Sequence, residues 1–232
     1  MEGWLTPAEW QAVALSLRVS ALATALSLPL GIAVALALAR GRFPGRGLLN
    51  GLVHLPLILP PVVTGYLLLL AFGRKGPVGA LLDQWFGVVL AFRWTGAVLA
   101  AAVMAFPLMV RAIRLSVEAV DPRLEQAAAT LGAPRIMVFA TVTLPLILPG
   151  VLAGAVLGFA KAMGEFGATI TFVSSIPGQT QTLPSAIYAF LQVPGGEPSA
   201  LRLVAVSVAV ALVALALSEW LGRALARRVA GA

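Results

Sequence analysis

The sequence contains no cysteine and a single histidine, His54. A disulfide framework, a thiolate metal site and a thiol nucleophile are thereby excluded, and one imidazole alone cannot build a His-rich metal centre. Charge is scarce too: only 11% of the 232 residues are Asp, Glu, Lys or Arg, against about 25% in a soluble domain. A P-loop needs Gly-Lys followed by Ser or Thr, and neither Lys75 nor Lys161 has that context. Neither a His-Glu zinc motif nor a Gly-x-Ser-x-Gly elbow occurs. The chain therefore carries no equipment for catalysis, no cofactor-binding residue and no metal ligand that its sequence can point to. An energy source, if one is used, has to be a separate subunit. The Met1-Glu2 start has no basic n-region, so no cleavable signal peptide is expected.

What the chain has in excess is apolar surface. Sixty per cent of its residues are hydrophobic, in runs too long and too many for one small aqueous core. The runs cover about 12–39, 48–72, 94–115, 144–163 and 200–221, which predicts an all-α transmembrane bundle of about five spans in one domain, 1–232. Thr6-Pro7-Ala8-Glu9 reads as a capping box with proline at the first helical position, so the first helix starts near residue 7. At roughly 33 residues, or about 50 Å, it outruns a ~30 Å hydrocarbon core. Its first turns, with Trp4 and Trp10, are therefore expected in the interface. The segment 164–199 is too broken by Pro, Gly and Gln for a simple span.

The net charge of +7 serves topology, not nucleic acid. With the N-terminus outside, the inner side collects Arg40, Arg42, Arg46, Arg111, Arg114, Arg123, Arg135, Arg223, Arg227 and Arg228. Arg18, Arg74, Lys75, Arg93, Lys161 and Arg202 are the remainder. The inner excess predicts N-out and C-in, and all five Trp fall at span ends, as an aromatic belt requires.

Smaller features fit this frame. Gly150, Gly154 and Gly158 form a stripe four residues apart on the fourth span, where small residues let backbones approach. They are expected to pack, within the subunit or across a dimer. Leu55-Pro-Leu-Ile-Leu-Pro60 recurs as Leu144-Pro-Leu-Ile-Leu-Pro149, each followed five residues on by glycine, Gly65 and Gly154. The repeat reads either as a duplicated helix-start feature flanking a pathway or as chance in a Leu/Pro-rich chain. Pro29, Pro107, Pro145 and Pro149 are expected to kink or start spans. His54 is read as structural.

The stretch 120–149 is the most informative. Asp121-Pro122 reads as an N-cap followed by proline at N1, and Glu125 falls in the first turn, where the helix dipole favours an anion. Gln126 to Leu131 continue a short, small-sided helix that Gly132 ends, and Ala133-Pro134-Arg135 begin a second short helix. An alanine-lined helix can lie deep in another protein's groove because no bulky side chain holds it off. A plain loop of ~24 residues is long for a compact protein, which favours a partner.

Glu125-Gln-Ala-Ala-Ala-Thr-Leu-Gly132, with Val142-Thr-Leu-Pro145 beyond it, resembles the EAA motif of permeases of type I ABC importers. Gln126 stands where Glu is usual, with Glu125 one place earlier, and Val142 stands at an isoleucine position. The resemblance implies a cytoplasmic coupling loop at about 120–143 that docks on two ATP-binding cassette subunits through Glu125, Gln126, Ala127, Ala128, Gly132, Pro134 and Arg135. Gly164-Glu-Phe-Gly-Ala-Thr-Ile-Thr-Phe-Val-Ser-Ser-Ile-Pro-Gly-Gln-Thr-Gln-Thr-Leu-Pro184 resembles molybdate permeases in particular, as do His54-Leu-Pro-Leu and Ala105 to Arg114. Sulfate permeases share the Gly-Glu-Phe-Gly core but look less like the Ile176-Pro-Gly-Gln-Thr-Gln-Thr part.

The molybdate resemblance implies a homodimer in the inner membrane, in contact with lipid, with a pathway between the copies. It further implies an external molybdate-binding protein, and tungstate as a near-isosteric companion. A sulfate-class permease and an autonomous channel or ion-coupled carrier are the rival functions; the carrier would leave the 120–143 loop without a purpose.

For the pathway or gate, Lys161, Glu165, Thr169, Thr171, Ser174 and Ser175 are the candidates, with Thr180 and Thr182 offering further hydroxyls. Each hydroxyl could equally be a cap or turn residue. Lys161 and Glu165, at i and i+4, are expected to meet on one helix face. They mark a gate or an outer pair reaching to the interface.

Overall fold

The computed structural model describes residues 4–230, with side chains described except for Ser218 and residues 221–230. Met1, Glu2 and Gly3, and the side chains of Arg223, Arg227 and Arg228, lie outside the described set. The described residues form helices and no strand. In chain order these are α1 (Pro7–Arg40), α2 (Arg46–Ile58), α3 (Pro61–Phe72), α4 (Pro77–Phe86), α5 (Trp94–Ala119), α6 (Pro122–Thr130) and α7 (Arg135–Val138). A π-helical turn (Phe139–Thr143) comes next, then α8 (Leu144–Met163), α9 (Gly167–Val173), α10 (Leu183–Leu191) and α11 (Glu197–Ala230).

The capping box sets the start of α1. Thr6 N donates to Glu9 Oε2 at 2.8 Å, and Glu9 N donates to Thr6 Oγ1 at 3.3 Å. The Glu9 carboxylate is buried and also takes two bonds from the Arg202 guanidinium, one of them 2.5 Å long, which ties the start of α1 to the start of α11. Nearby, the Arg18 guanidinium stacks 3.9 Å above the Trp94 ring, tying α1 to α5.

Four stretches are long and apolar enough to cross a membrane: Pro7–Arg40, Trp94–Ala119, Arg135–Met163 and Glu197–Leu217. The expected single span over 48–72 is not one helix. It is the pair α2 and α3, bent by 116°, and the count reaches five only if that pair is taken as one span. The cause is local. Leu59 precedes Pro60 and Pro60 precedes Pro61, and a residue before proline is pushed out of the α region. Leu59 accordingly sits at φ −69°, ψ 145° and Pro60 at φ −55°, ψ 135°.

The second correction concerns 133–145. The short helix beginning at Arg135 is not separate from the fourth span, because Phe139 and Leu144 both keep α-region dihedrals and α7 runs through the π turn into α8. Between the second and third spans α4 forms, an element the apolar runs do not mark. In 164–199 the chain makes two short helices, α9 and α10, and no span.

α5 packs most heavily, against α1 on one side and α8 on the other. Its buried Ala97, Ala100, Ala101 and Ala105 keep that centre thin, and Met109, Ile113 and Val117 fill its other end. The glycine stripe belongs to this contact. A Cβ at Gly150 would collide with the Ser116 side chain; at Gly154 it would lie 2.9 Å from Ile113 Cγ1 and 3.0 Å from Met109 O; at Gly158, 2.7 Å from Met109 Cε. All three glycines therefore let α8 close on α5 within the chain. The exposed apolar side chains of α2, α3 and α11, such as Leu52, Ile58, Leu67 and Leu212, suit lipid or another protein surface, not water.

Candidate functional site: the docking loop and the charged turn after α8

The loop between α5 and α8 is built by its caps. Asp121 Oδ1 accepts from Arg123 N at 2.9 Å, Pro122 occupies the first helical position, and α6 runs to Thr130. Gly132 stops it at φ +86° with nothing within 4 Å of a Cβ, and its N–H and that of Ala133 return to Ala129 O and Ala128 O at 3.0 and 3.3 Å. Pro134 caps α7, and Arg135, its first residue, is exposed.

No residue of α6 is buried. Gln126, Ala127 and Ala129 are exposed and Ala128 is half-buried. Around them stand Leu131, 89% exposed, Ile136, 84%, and Met137, 54%. These large exposed apolar side chains, Leu131 just after α6 and Ile136 and Met137 in α7, suit a protein surface or lipid, not water.

Glu125 does not share that outward face. Its Oε1 accepts from Thr143 Oγ1 at 2.8 Å, and its Oε2 lies 3.5 Å from Arg40 Nη1. The carboxylate is turned toward the bundle. Arg40 is 85 positions earlier in the chain, and nothing in the sequence pairs it with Glu125; its only mark there is that it closes the first apolar run.

The other candidate residues gather about one α8 length away, 20 residues or about 30 Å at 1.5 Å per residue. Lys161 Nζ donates to Glu165 Oε2 at 2.8 Å. The pair does not share a helix face as the i, i+4 spacing predicts, because α8 ends at Met163 and Gly164 caps it. Glu165 lies in the turn beyond, its side chain only 1% exposed, and its Oε1 accepts from Ala168 N at 2.9 Å, capping α9. The chain therefore balances a buried carboxylate with one lysine and one amide.

The hydroxyls are mostly engaged locally. Thr169 Oγ1 donates to Phe166 O at 2.9 Å, Thr171 Oγ1 to Gly167 O at 2.9 Å, and Thr180 Oγ1 accepts from Ile176 N at 3.0 Å. Thr182 and Ser185 bond each other. Two differ. Ser174 ends α9 at φ +64° and is exposed, and the buried Ser175 Oγ has no protein partner. The half-span α3 holds this segment in place: a Cβ at Gly65 would lie 2.5 Å from Ala168 O and 2.9 Å from Thr171 Cβ. His54 lies apart, its Nδ1 2.9 Å from Asn50 O one turn back.

An all-helical bundle with four or five apolar spans and an exposed loop between α5 and α8 fits the membrane subunit of a transporter. The match to the family of binding-protein-dependent transport system inner membrane components extends over residues 27–231, and the chain belongs to that family. It is 61% identical over 219 residues to the molybdenum transport system permease protein ModB of Escherichia coli (strain K12), covering 94% of this chain and 96% of that one. With ModB of Haemophilus influenzae the identity is 57% over 221 residues, 95% and 96% of the two chains. The sulfate transport system permease protein CysT of Salmonella typhimurium is 36% identical over 192 residues, 83% and 69% of the two chains.

Among solved structures, the fold matches a bacterial ABC transporter that imports alginate, with TM-score 0.74 and 19% identity over 94% of this chain and 80% of that one. An amino acid ABC transporter gives TM-score 0.66 and 22% identity over 94% of each.

Proposed function

We propose that this chain is the translocating subunit of an ATP-driven importer of molybdate, with tungstate as a companion substrate. The membrane assembly is two copies of the chain with the pathway between them. Two ATP-binding cassette subunits sit on the cytoplasmic side and a molybdate-binding protein outside. Much higher identity to molybdenum permeases than to a sulfate permease supports the substrate. The observation that carries the mechanism is the exposed apolar cluster of Leu131, Ile136 and Met137 beside the alanine face of α6. A protein partner would cover this surface, which supports docking of the ATPase there.

In this reading Gln126, Ala127, Ala128, Gly132, Pro134 and Arg135 form the docking surface. Lys161, Glu165, Thr169, Thr171, Ser174 and Ser175 border the pathway, where the exposed Ser174 is the hydroxyl free to meet a passing oxyanion. The absence of a bidentate arginine site among them suits a conduit better than a store. The N-terminus lies outside and the C-terminus inside the cytoplasmic membrane.

Two measurements test this. The assembled transporter is reconstituted with its binding protein loaded with each oxyanion. Molybdate and tungstate are expected to stimulate ATP hydrolysis far more than sulfate, and equal stimulation by sulfate would move the protein to the sulfate class. With no native cysteine, single-cysteine variants can be labelled from one side. Lys75→Cys is expected to label from outside, Gly47→Cys and Thr130→Cys from inside; outside labelling at Thr130 would remove the loop from reach of ATP.

A further inference from the structure

Three elements remote in sequence meet behind α6. Arg40 is the last residue of α1. Its Nη2 donates to Val117 O at 3.3 Å and to Val120 O at 3.1 Å, two carbonyls at the end of α5, where intrahelical partners run out; Val117 O also accepts from Val120 N at 3.3 Å. Its Nη1 faces Glu125 Oε2 at 3.5 Å, and the other oxygen of that carboxylate accepts from Thr143 Oγ1 at 2.8 Å. One guanidinium thus bridges the ends of α1 and α5 to α6, and Glu125 extends the bridge to the start of α8.

This link matters because α6 has little else. None of its residues is buried, and its packing is against α7 and the π turn. The π turn itself contributes to the junction. Its one extra residue shifts everything after it by about 100° around the helix relative to an uninterrupted α-helix, and Thr143, the last residue of that turn, is buried on the Glu125 carboxylate. Arg40 Nε, by contrast, is buried with no partner. An unmet buried donor is costly, so this guanidinium is not locked in a fully satisfied arrangement.

We propose that Arg40 is the positioning residue of coupling. It carries a displacement of α6 to α1 and α5 while Glu125 and Thr143 carry it to α8, so that three spans respond to one docking helix. The inference rests on reading α6 as the ATPase-docking element. Without Arg40, α6 still presents its outer face but moves independently of α1 and α5. Docking then survives while transport fails.

The test uses the complete transporter in liposomes and three readouts: co-purification of the ATPase subunit, hydrolysis stimulated by molybdate-loaded binding protein, and molybdate taken up per ATP. Arg40→Gln is expected to keep the ATPase bound and hydrolysing, while uptake per ATP falls at least about ten-fold, the scale of losing a charge-assisted hydrogen-bond network. Arg40→Lys should recover only part, since an ammonium cannot span both carbonyls and the carboxylate. Arg40→Gln combined with Glu125→Gln should lose less than the sum of the two single losses, as expected for partners in one network, and full additivity would count against the bridge.

Gly132→Val and Ala128→Glu serve as controls on the docking surface, and both should lose ATPase binding or coupling. If they uncouple while Arg40→Gln keeps wild-type uptake per ATP, the proposal is overturned and the docking reading stands. If the controls also transport normally, the docking reading falls first and the proposal falls with it. Should Arg40→Gln fail to reach the membrane, Glu125→Gln and Thr143→Val decide: wild-type uptake per ATP in both overturns the proposal, and a loss with the ATPase still bound supports it.

Discussion

The hexapeptide Leu-Pro-Leu-Ile-Leu-Pro occurs twice, at 55–60 and at 144–149, and the two copies fold differently. The first ends α2 and turns the chain by 116° into α3. The second lies wholly inside α8, whose helix continues through Pro149 to Met163. The difference lies in the next residue. Pro61 follows the first copy, so two successive residues stand before a proline and both are forced into extended dihedrals. Gly150 follows the second. A single interior proline costs one backbone bond and kinks a helix, and the packing of α8 against α5 holds it together. The repeat is thus one of sequence and not of structure, and neither copy acts as a matched pair with the other.

Converting one copy into the other is the sharpest test. Gly150→Pro gives the second copy the proline doublet and should destabilise the protein by about 3 kcal/mol or more, read from thermal unfolding in nanodiscs. Gly150→Ala is its control, because it adds the Cβ that meets Ser116 without the doublet. If the two variants unfold alike, the doublet is not what separates the copies.

Next in size is the glycine five residues after each hexapeptide. Gly154→Val forces branched bulk toward Met109 O and Ile113 Cγ1, which stand 3.0 and 2.9 Å from the Cβ position, and overpacking of this kind costs about 1–3 kcal/mol. A Gly154→Val protein with wild-type unfolding would mean that α8 does not sit this closely on α5.

A smaller effect is expected at the surface copy. Pro61→Ala frees Pro60 from its pre-proline restriction, so the 116° bend should relax while stability changes by less than about 1 kcal/mol. Spin labels at Gly47 and Leu70 would report a longer distance. An unchanged distance would assign the bend to the packing of Gly65 and Gly167 between α3 and α9.

Least of all, Gly51→Ala should stabilise α2 by about 0.5–1 kcal/mol, because nothing lies within 4 Å of its Cβ position. A loss of stability there would show that α2 packs more tightly than its exposed face indicates.

Much of this protein is decided locally and so is legible in the chain. The apolar runs, the capping box at Thr6 and Glu9, the Asp121-Pro122 start of α6 and its stop at Gly132 depend on neighbours within a few residues. Backbone sterics and hydrogen bonding settle them before any packing. The resemblance to binding-protein-dependent permeases is legible for a related reason: it rests on short contiguous motifs.

The sequence alone could not decide between two close outcomes. Leu48 to Phe72 is apolar enough for a straight span, and only the Pro60-Pro61 doublet set against the packing of α3 on α9 resolves it into two helices. The Lys161–Glu165 spacing fits one helix face, yet α8 stops at Met163 because Gly164 leaves the helix and Glu165 turns to cap α9. Only the tertiary structure brings Arg40 to Glu125 and Thr143, or Glu9 to Arg202. Such pairs depend on where α1, α5, α8 and α11 come to rest, and that is set by side-chain packing across the bundle, which no local spacing encodes.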